Sequence, residues 1–113
     1  MKKEKISFNY RRKKISILAK RLSFFGRFTG LMFTKKENAK ALLFDFKKPT
    51  NISIHSWFVF FPFIALWLDD KNKIIKIKIV KPFSLPISPE KKFTKLVEIP
   101  LNNRFKKFKK YFS

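Results

Sequence analysis

Few residues in this chain could carry out chemistry. His55 is the single histidine, cysteine is absent, and 7 Asp and Glu side chains are spread over 113 residues. General acid–base catalysis usually needs a histidine or two carboxylates held together, and one histidine among scattered acids gives it little support. The absence of cysteine excludes disulfides, thiolate zinc sites and cysteine nucleophiles. We therefore predict that the protein is not an enzyme and uses no cofactor and no metal.

Three further features argue against metal, catalytic and phosphate-binding sites. Asp69 and Asp70 are adjacent in a connection between strands, where such residues more often supply turn geometry than ligate a metal. His55 lies in the segment ISIHSWF and is interpreted as a structural histidine at the edge of the core. Gly26 and Gly30 are the only glycines, which excludes glycine-rich phosphate loops.

Positive charge is the most unusual property of the chain. The 28 Lys and Arg residues against 7 acids give a formal net charge of +21. A field of that size attracts phosphates and anionic head groups, so nucleic acid or an anionic membrane surface is a candidate partner. The alternative is codon bias, because Lys, Ile, Phe and Asn are all favoured by AT-rich codons. The candidate anion-binding residues are Arg11, Arg12, Lys13, Lys14, Arg104, Lys106, Lys107, Lys109 and Lys110.

The C-terminal segment RFKKFKKYF interleaves aromatic with basic residues. Phe105, Phe108 and Phe112 recur at helical spacing, which predicts a C-terminal helix. Two roles stay open for these rings. They could stack on bases or insert into a membrane surface, or they could pack onto the domain and leave the Lys side chains solvated.

Strands dominate the elements that would position these residues. Ile6, Phe8 and Tyr10 alternate with polar neighbours, and the pattern resumes at Ile15 and Ile17, which predicts two strands. The later strand-like segments are ALLFDF, NISIHSWFV, PFIALWLD, NKIIKIKIV and FTKLVEI. Their separators are KKPT, the Phe61–Pro62 step and residues 69–73.

Within IIKIKIV, strict alternation predicts that Ile75, Ile77 and Ile79 share one face of the sheet. The segment 81–92 contains three prolines and is predicted to be a loop. The apolar run at residues 57–68 is shorter than the ~18 to 20 residues of a spanning helix, so we predict no transmembrane segment. The N-terminus lacks the apolar region of a signal peptide, which favours a cytoplasmic protein.

The predicted fold is all-β, a small antiparallel barrel or sandwich with one short helix near residues 23–29. Ser23 would cap that helix and Gly30 would end it. The sequence predicts three regions, of which residues 1–13 form a basic N-terminal strand or arm. Residues 14–100 form a single β domain, and residues 101–113 form a basic aromatic tail.

Several motifs together resemble the family called domain of unknown function 192. The resemblance covers residues 15–99, and its matching positions are Arg27, Gly30, Leu31, Met32, Phe33, Ile54, His55, Val59, Phe61, Pro62, Asp69 and Glu98. It implies a compact β-barrel or sandwich with little helix, and it implies no activity.

The chain departs from the family pattern at three positions, two in the signature segment and one after Glu98. Ser56 stands where the family favours Met, and Ile64 stands where it favours Asp, so the acidic side chain that ends the signature strand is missing. The glycine expected soon after Glu98 is also absent.

Two functions follow from these observations. The first is a non-catalytic binding domain that engages an anionic partner through its basic surface and tail. The second is a small-ligand pocket, whose candidate residues are Met32, His55, Trp57 and Phe83.

Overall fold

The computed structural model describes residues 3–22, 39–53, 60–83 and 87–112, apart from the side chains of Leu22, Tyr111 and Phe112. The strands in these ranges are β1 (Lys3–Tyr10), β2 (Lys13–Leu22), β3 (Leu42–Thr50), β4 (Phe63–Leu68), β5 (Ile74–Val80) and β6 (Phe93–Pro100). A 3₁₀ turn at Asn103–Phe105 leads into the helix α1 (Lys106–Phe112). The predicted all-β class and C-terminal helix are confirmed, whereas the helix predicted near residues 23–29 lies outside the described residues.

One sheet contains all six described strands, in the order β1-β2-β3-β6-β4-β5. Four of its five pairings are antiparallel, but β2 and β3 are parallel. The predicted antiparallel architecture therefore holds at four pairings, and the β2–β3 pairing departs from it. Parallel neighbours need a long crossover, and the connection from residue 23 to residue 41 supplies it.

The sheet curls into a half-barrel, and its edge strands β1 and β5 approach each other. The concave face holds the first hydrophobic core, to which every strand contributes. Its strand residues are Ile6, Phe8, Ile15, Ile17, Ala19, Leu43, Ile64, Leu66, Leu68, Val97 and Ile99, with Ile74 and Ile77 packed against them. Strict alternation in β1 and β2 fits this arrangement, because each exposes its other face to solvent.

The convex face carries a second core over the central strands. Its members include Trp67, Phe61, Phe63 and Phe93, and the rings of Trp67 and Phe93 meet edge to face at 6.5 Å between centroids. All six residues of β4 are buried, as are seven of the eight in β6. Burial on both faces explains why FIALWL is a continuous apolar run rather than an alternating one.

A bulge in β5 corrects the predicted facing of its isoleucines. Trp67 pairs with Lys76 but the next residue, Leu68, pairs with Ile74, so Ile75 is the extra residue. Ile75 therefore packs on the convex core, whereas Ile77 packs on the concave core. A bulge shifts the side-chain phase by one residue, and alternation alone could not reveal it.

The connections agree with the sequence in one place and differ in another. The Asp69 carboxylate accepts hydrogen bonds from the backbone amides of Lys71 and Lys73, at 2.9 and 2.8 Å, which confirms the predicted turn. The segment KKPT was predicted to separate two strands, but β3 continues through it to Thr50 with an irregular register after Asp45. Lys47 adopts φ 61° there, and its amide donates to the Asp45 carboxylate.

An ion cluster ties the N-terminal hairpin, β1 with β2, to the rest of the sheet. Arg21 Nη2 lies 2.7 Å from Glu4 Oε2 and its Nη1 lies 3.2 Å from Asp45 Oδ2. One guanidinium thus links β1, β2 and β3. The regular β2–β3 ladder spans only Lys20–Leu22 and Leu42–Phe44, so this cluster adds side-chain contacts where backbone pairing is short.

We expect Arg21→Met to lower the free energy of unfolding by about 1 kcal/mol, because two carboxylates lose their shared cation at a partly exposed site. Urea denaturation measures this change. Arg12→Met is the control, since it removes the same charge from an exposed turn residue. Equal shifts of the urea midpoint in both variants would show that only net charge matters.

Candidate anion-binding surface

The C-terminal helix is fixed to the sheet by an asparagine and two aromatic rings. Asn102 is buried; its Oδ1 accepts from the Phe105 amide at 3.2 Å and its Nδ2 donates to the Ala39 carbonyl at 3.1 Å. Phe105 and Phe108 are buried within the concave core. Of the two roles left open by the sequence, burial favours packing onto the domain for Phe105 and Phe108, whereas the side chain of Phe112 lies outside the described residues. The lysines between them remain exposed.

The helix lies beside the half of β2 that does not pair with β3. The β2–β3 ladder ends at Lys20, whose amide also donates to the Ala41 carbonyl at 2.8 Å. Residues 15–17 of β2, before the ladder, line the same grooves as Phe105 and Phe108. Side chains from the two ends of the chain consequently meet here.

Two adjoining grooves between β2 and α1 are rich in positive charge. The smaller, of about 100 Å³, contains Lys13, Lys14 and Lys107. The larger, of about 260 Å³, contains Lys107 again, so the two grooves share part of their lining. We name this region the helix–hairpin surface; its basic residues are Lys3, Lys13, Lys14, Lys20, Lys40, Arg104 and Lys107.

A third groove, of about 390 Å³, lies on the other side of Arg104. We name it the Pro62 groove; its described lining is Pro62, Leu101, Asn102, Asn103, Arg104, Lys106 and Lys109. Arg104 lines both this groove and the helix–hairpin surface. No acidic side chain among the described residues lines any of the three grooves.

Most of the anion-binding candidates from the sequence lie on these grooves. Lys13, Lys14 and Lys107 share one groove, whereas Lys106 and Lys109 share another. The Lys107 ammonium lies 5.3 Å from the centroid of the Phe108 ring, so the buried ring helps to position it.

The remaining three candidates lie outside the described lining of the grooves. Arg11 and Arg12 form the exposed β1–β2 turn with φ of 49° and 69°, and the Arg11 guanidinium lies 5.1 Å from the Tyr10 ring centroid. Lys110 is exposed on α1.

Sequence reasoning missed three basic residues of this surface, Lys3, Lys20 and Lys40. Lys3 and Lys20 are register partners in the hairpin. Alternation in β1 and β2 could have placed them on the outward face, because Ile6 and Ile17 occupy the inward one. Lys40 has no comparable signal, since its position depends on the crossover into β3.

The ligand-pocket candidates are mostly beyond the described part of the chain. Met32, His55 and Trp57 lie outside the described residues. Phe83 is described and is exposed, with its ring edge to face against Phe60 at 5.5 Å between centroids. Only Phe83 can therefore be assigned an environment.

Glu98 is a buried carboxylate near the middle of the sheet. It pairs with Leu42 of β3 and with Ala65 of β4, and alternation places it on the convex face with Leu96. Desolvation raises the pKa of Glu98 to about 7. Ile64, where the family favours Asp, faces the concave core instead. The missing carboxylate and Glu98 are thus on opposite faces of the sheet and could not share one site.

Metal ligation has little support in the parts of the chain that can be described. Within those ranges, no three His, Cys, Asp or Glu side chains group closely enough to hold a metal ion. In the same ranges, no helix combines the length and apolarity needed to cross a membrane.

These features define a small domain made of one curled β-sheet and a short helix packed against it. Residues 11–108 match the model of the DUF192 family, which is described as uncharacterised ACR. The chain belongs to this family, and the resemblance drawn from its motifs is confirmed. None of the curated proteins matches it.

Two solved structures share the fold. One is a protein from Sinorhizobium meliloti that carries the provisional name of a transcription regulator; it is 16% identical, with a TM-score of 0.74 over 91% of this chain and 82% of that chain. The other, from Novosphingobium aromaticivorans, is of unknown function; it is 12% identical, with a TM-score of 0.75 over 95% of this chain and 79% of that chain. At these identities the likeness concerns the fold alone.

We expect Asn102→Ala to lower the free energy of unfolding by about 1 to 2 kcal/mol, because the cap is lost and the buried Ala39 carbonyl loses its donor. Urea denaturation again measures the effect. Asn103→Ala, at the exposed neighbouring position, is the matched control. An equal loss in the control would rule out an anchoring role for Asn102.

The raised pKa of Glu98 predicts a pH dependence of stability. The folded state binds this proton more tightly than the unfolded state, so stability is greatest below about pH 4.5 and declines as pH rises through about 7. The full decline from this one group is about 3 kcal/mol. Glu98→Gln should remove it, so the variant should be more stable than the natural protein at pH 8 and closer to it at pH 5.

Glu90→Gln, at an exposed carboxylate, controls for the loss of a negative charge. Thermal or urea unfolding of the three proteins at each pH gives the comparison. If Glu98→Gln and the natural protein have parallel stability curves, the carboxylate is ionised without cost in the fold.

Proposed function

We propose that the protein is a non-catalytic binding domain that engages nucleic acid through the helix–hairpin surface. The observation that supports this most is that basic residues from distant parts of the sequence line one groove. Lys13 and Lys14 from the N-terminal hairpin line one groove together with Lys107 from the C-terminal helix, although they are far apart in the sequence.

The mechanism is neutralisation of phosphate charge. Each Lys or Arg that contacts a phosphate releases condensed counterions, so affinity falls as salt rises. The walls of a groove concentrate the field of cations that line it. No described acidic side chain opposes that field locally, since Glu4 and Asp45 pair with Arg21 and Glu98 is buried. The provisional name of the Sinorhizobium meliloti neighbour is consistent with such a partner, as is the cytoplasmic location predicted from the sequence.

A membrane surface is a weaker candidate for the same charges. An interfacial helix inserts its apolar side chains below the lipid head groups, but Phe105 and Phe108 of the C-terminal segment are buried in the protein. The small-ligand pocket stays a prediction, because Phe83 is its one described candidate residue.

The test compares two triple variants with the same loss of charge. The first variant changes Lys13, Lys14 and Lys107 to Gln. The second changes three exposed lysines outside the helix–hairpin surface to Gln, namely Lys48 near the end of β3 and Lys91 and Lys92 just before β6. Fluorescence anisotropy with a labelled oligodeoxynucleotide of about 20 nucleotides gives affinity across a salt series. We expect the slope of log affinity against log salt to fall by about two in the first variant, roughly 0.7 for each lost phosphate contact.

The second triple variant should keep most of the slope. Equal losses in both variants would mean that overall charge, as codon bias would produce, is responsible rather than a site. Absence of detectable binding by the natural protein at about 150 mM salt would remove the proposal.

A further inference from the structure

Two exposed phenylalanines form a pair on the surface. Phe60 is 59% exposed and Phe83 is 57% exposed, yet their rings meet edge to face with centroids 5.5 Å apart. Phe83 also has φ 58°, a left-handed conformation that is costly for a bulky residue. The chain thus holds an aromatic side chain outward in a strained conformation, and such strain is concentrated at binding sites.

The pair is connected to the Pro62 groove through the chain, because Phe60 lies two residues before Pro62. Phe63 and Val80 are register partners at the end of the β4–β5 hairpin, and Phe60 and Phe83 extend from that same end. Pro62, two residues after Phe60, lines the groove, and its carbonyl accepts a hydrogen bond from the Leu101 amide at 3.0 Å. This bond fixes the segment that carries Phe60 to the start of the C-terminal segment.

The groove that Pro62 lines also carries three cations. Arg104, Lys106 and Lys109 line it, and all three are exposed. An exposed aromatic pair with one member two residues from the lining of a cationic groove suits a single strand, because the bases of a single strand are unpaired and its phosphates can follow the groove. A duplex keeps its base faces stacked within the helix and so cannot use the rings.

We propose that the Pro62 groove and the Phe60–Phe83 pair together bind single-stranded nucleic acid. Phosphates contact Arg104, Lys106 and Lys109, and an unpaired base stacks on an exposed ring of the pair. This inference rests on the proposed function and adds to it a preference for single strands. A bilayer fits the site less well, because the cations lie in a groove whose lining includes Asn102 and Asn103.

The experiment uses the full chain, with Phe60→Ala and Phe83→Ala as separate variants and Ile52→Ala as the control at another exposed apolar residue. Three labelled probes of equal length are compared: a single strand, the same strand with abasic sites, and the duplex. We expect each Phe variant to bind the single strand about tenfold more weakly, as loss of one stacked base predicts. Duplex affinity should be unchanged, and the control should bind all three probes normally.

The abasic strand provides the second measurement. The natural protein should bind it about tenfold more weakly than the complete strand, and the Phe variants should bind both strands equally. Urea midpoints near that of the natural protein show that the variants are folded. If a Phe variant unfolds, the ratio of complete to abasic affinity in the natural protein still decides the question.

Several outcomes would overturn the inference and leave the proposed function intact. These are equal losses for single strand and duplex, no loss in either Phe variant, or no preference for the complete strand over the abasic one. Loss of binding to phosphatidylserine vesicles, with single-strand affinity unchanged, would assign the rings to a membrane. Failure of the natural protein to bind any oligonucleotide would remove both proposals.

Discussion

The pairing of β6 with both β3 and β4 is the interaction on which the rest of the structure depends. β6 is the strand that joins the two halves of the sheet, and its side chains enter the cores on both faces. Because the C-terminal segment follows β6 directly, the end of this strand also sets where α1 begins. The Leu101 amide and the Asn102 side chain then fix that start to Pro62 and Ala39. The placement of the C-terminal lysines therefore follows from the central strand.

The sequence predicts strands well where one face of the strand is exposed to solvent. β1 and β2 show clean alternation, and both were predicted correctly. The apolar runs of β4 and β6 were also recognised, since turn residues bound them. What the sequence could not show was the order of strands. The parallel β2–β3 pair depends on a crossover, and the bulge at Ile75 depends on a register that periodicity does not encode.

The candidate site was predictable in its charge but not in its shape. The two basic segments were evident as runs of Lys and Arg, whereas their meeting across β2 required the tertiary structure. The helical spacing of the C-terminal rings was read correctly as a helix, and the structure selects packing as the role of Phe105 and Phe108. Phe60 was not singled out because it lies within a long apolar run, where exposure has no local signal. The departure from the family at Ile64 places an apolar residue in the concave core.

The short parallel ladder has a kinetic consequence. The β1–β2 hairpin is built from local contacts, and among the described residues, besides its core side chains, only three ladder pairs and the Arg21 cluster join it to β3. The backbone amides that pair β2 with β3 should therefore be among the least protected against hydrogen exchange, because peripheral units open more often than the whole domain unfolds. Opening would separate Lys13 and Lys14 from Lys107. A polyanion bound across these three residues would stabilise the closed hairpin. Opening should then become rarer as the polyanion concentration rises.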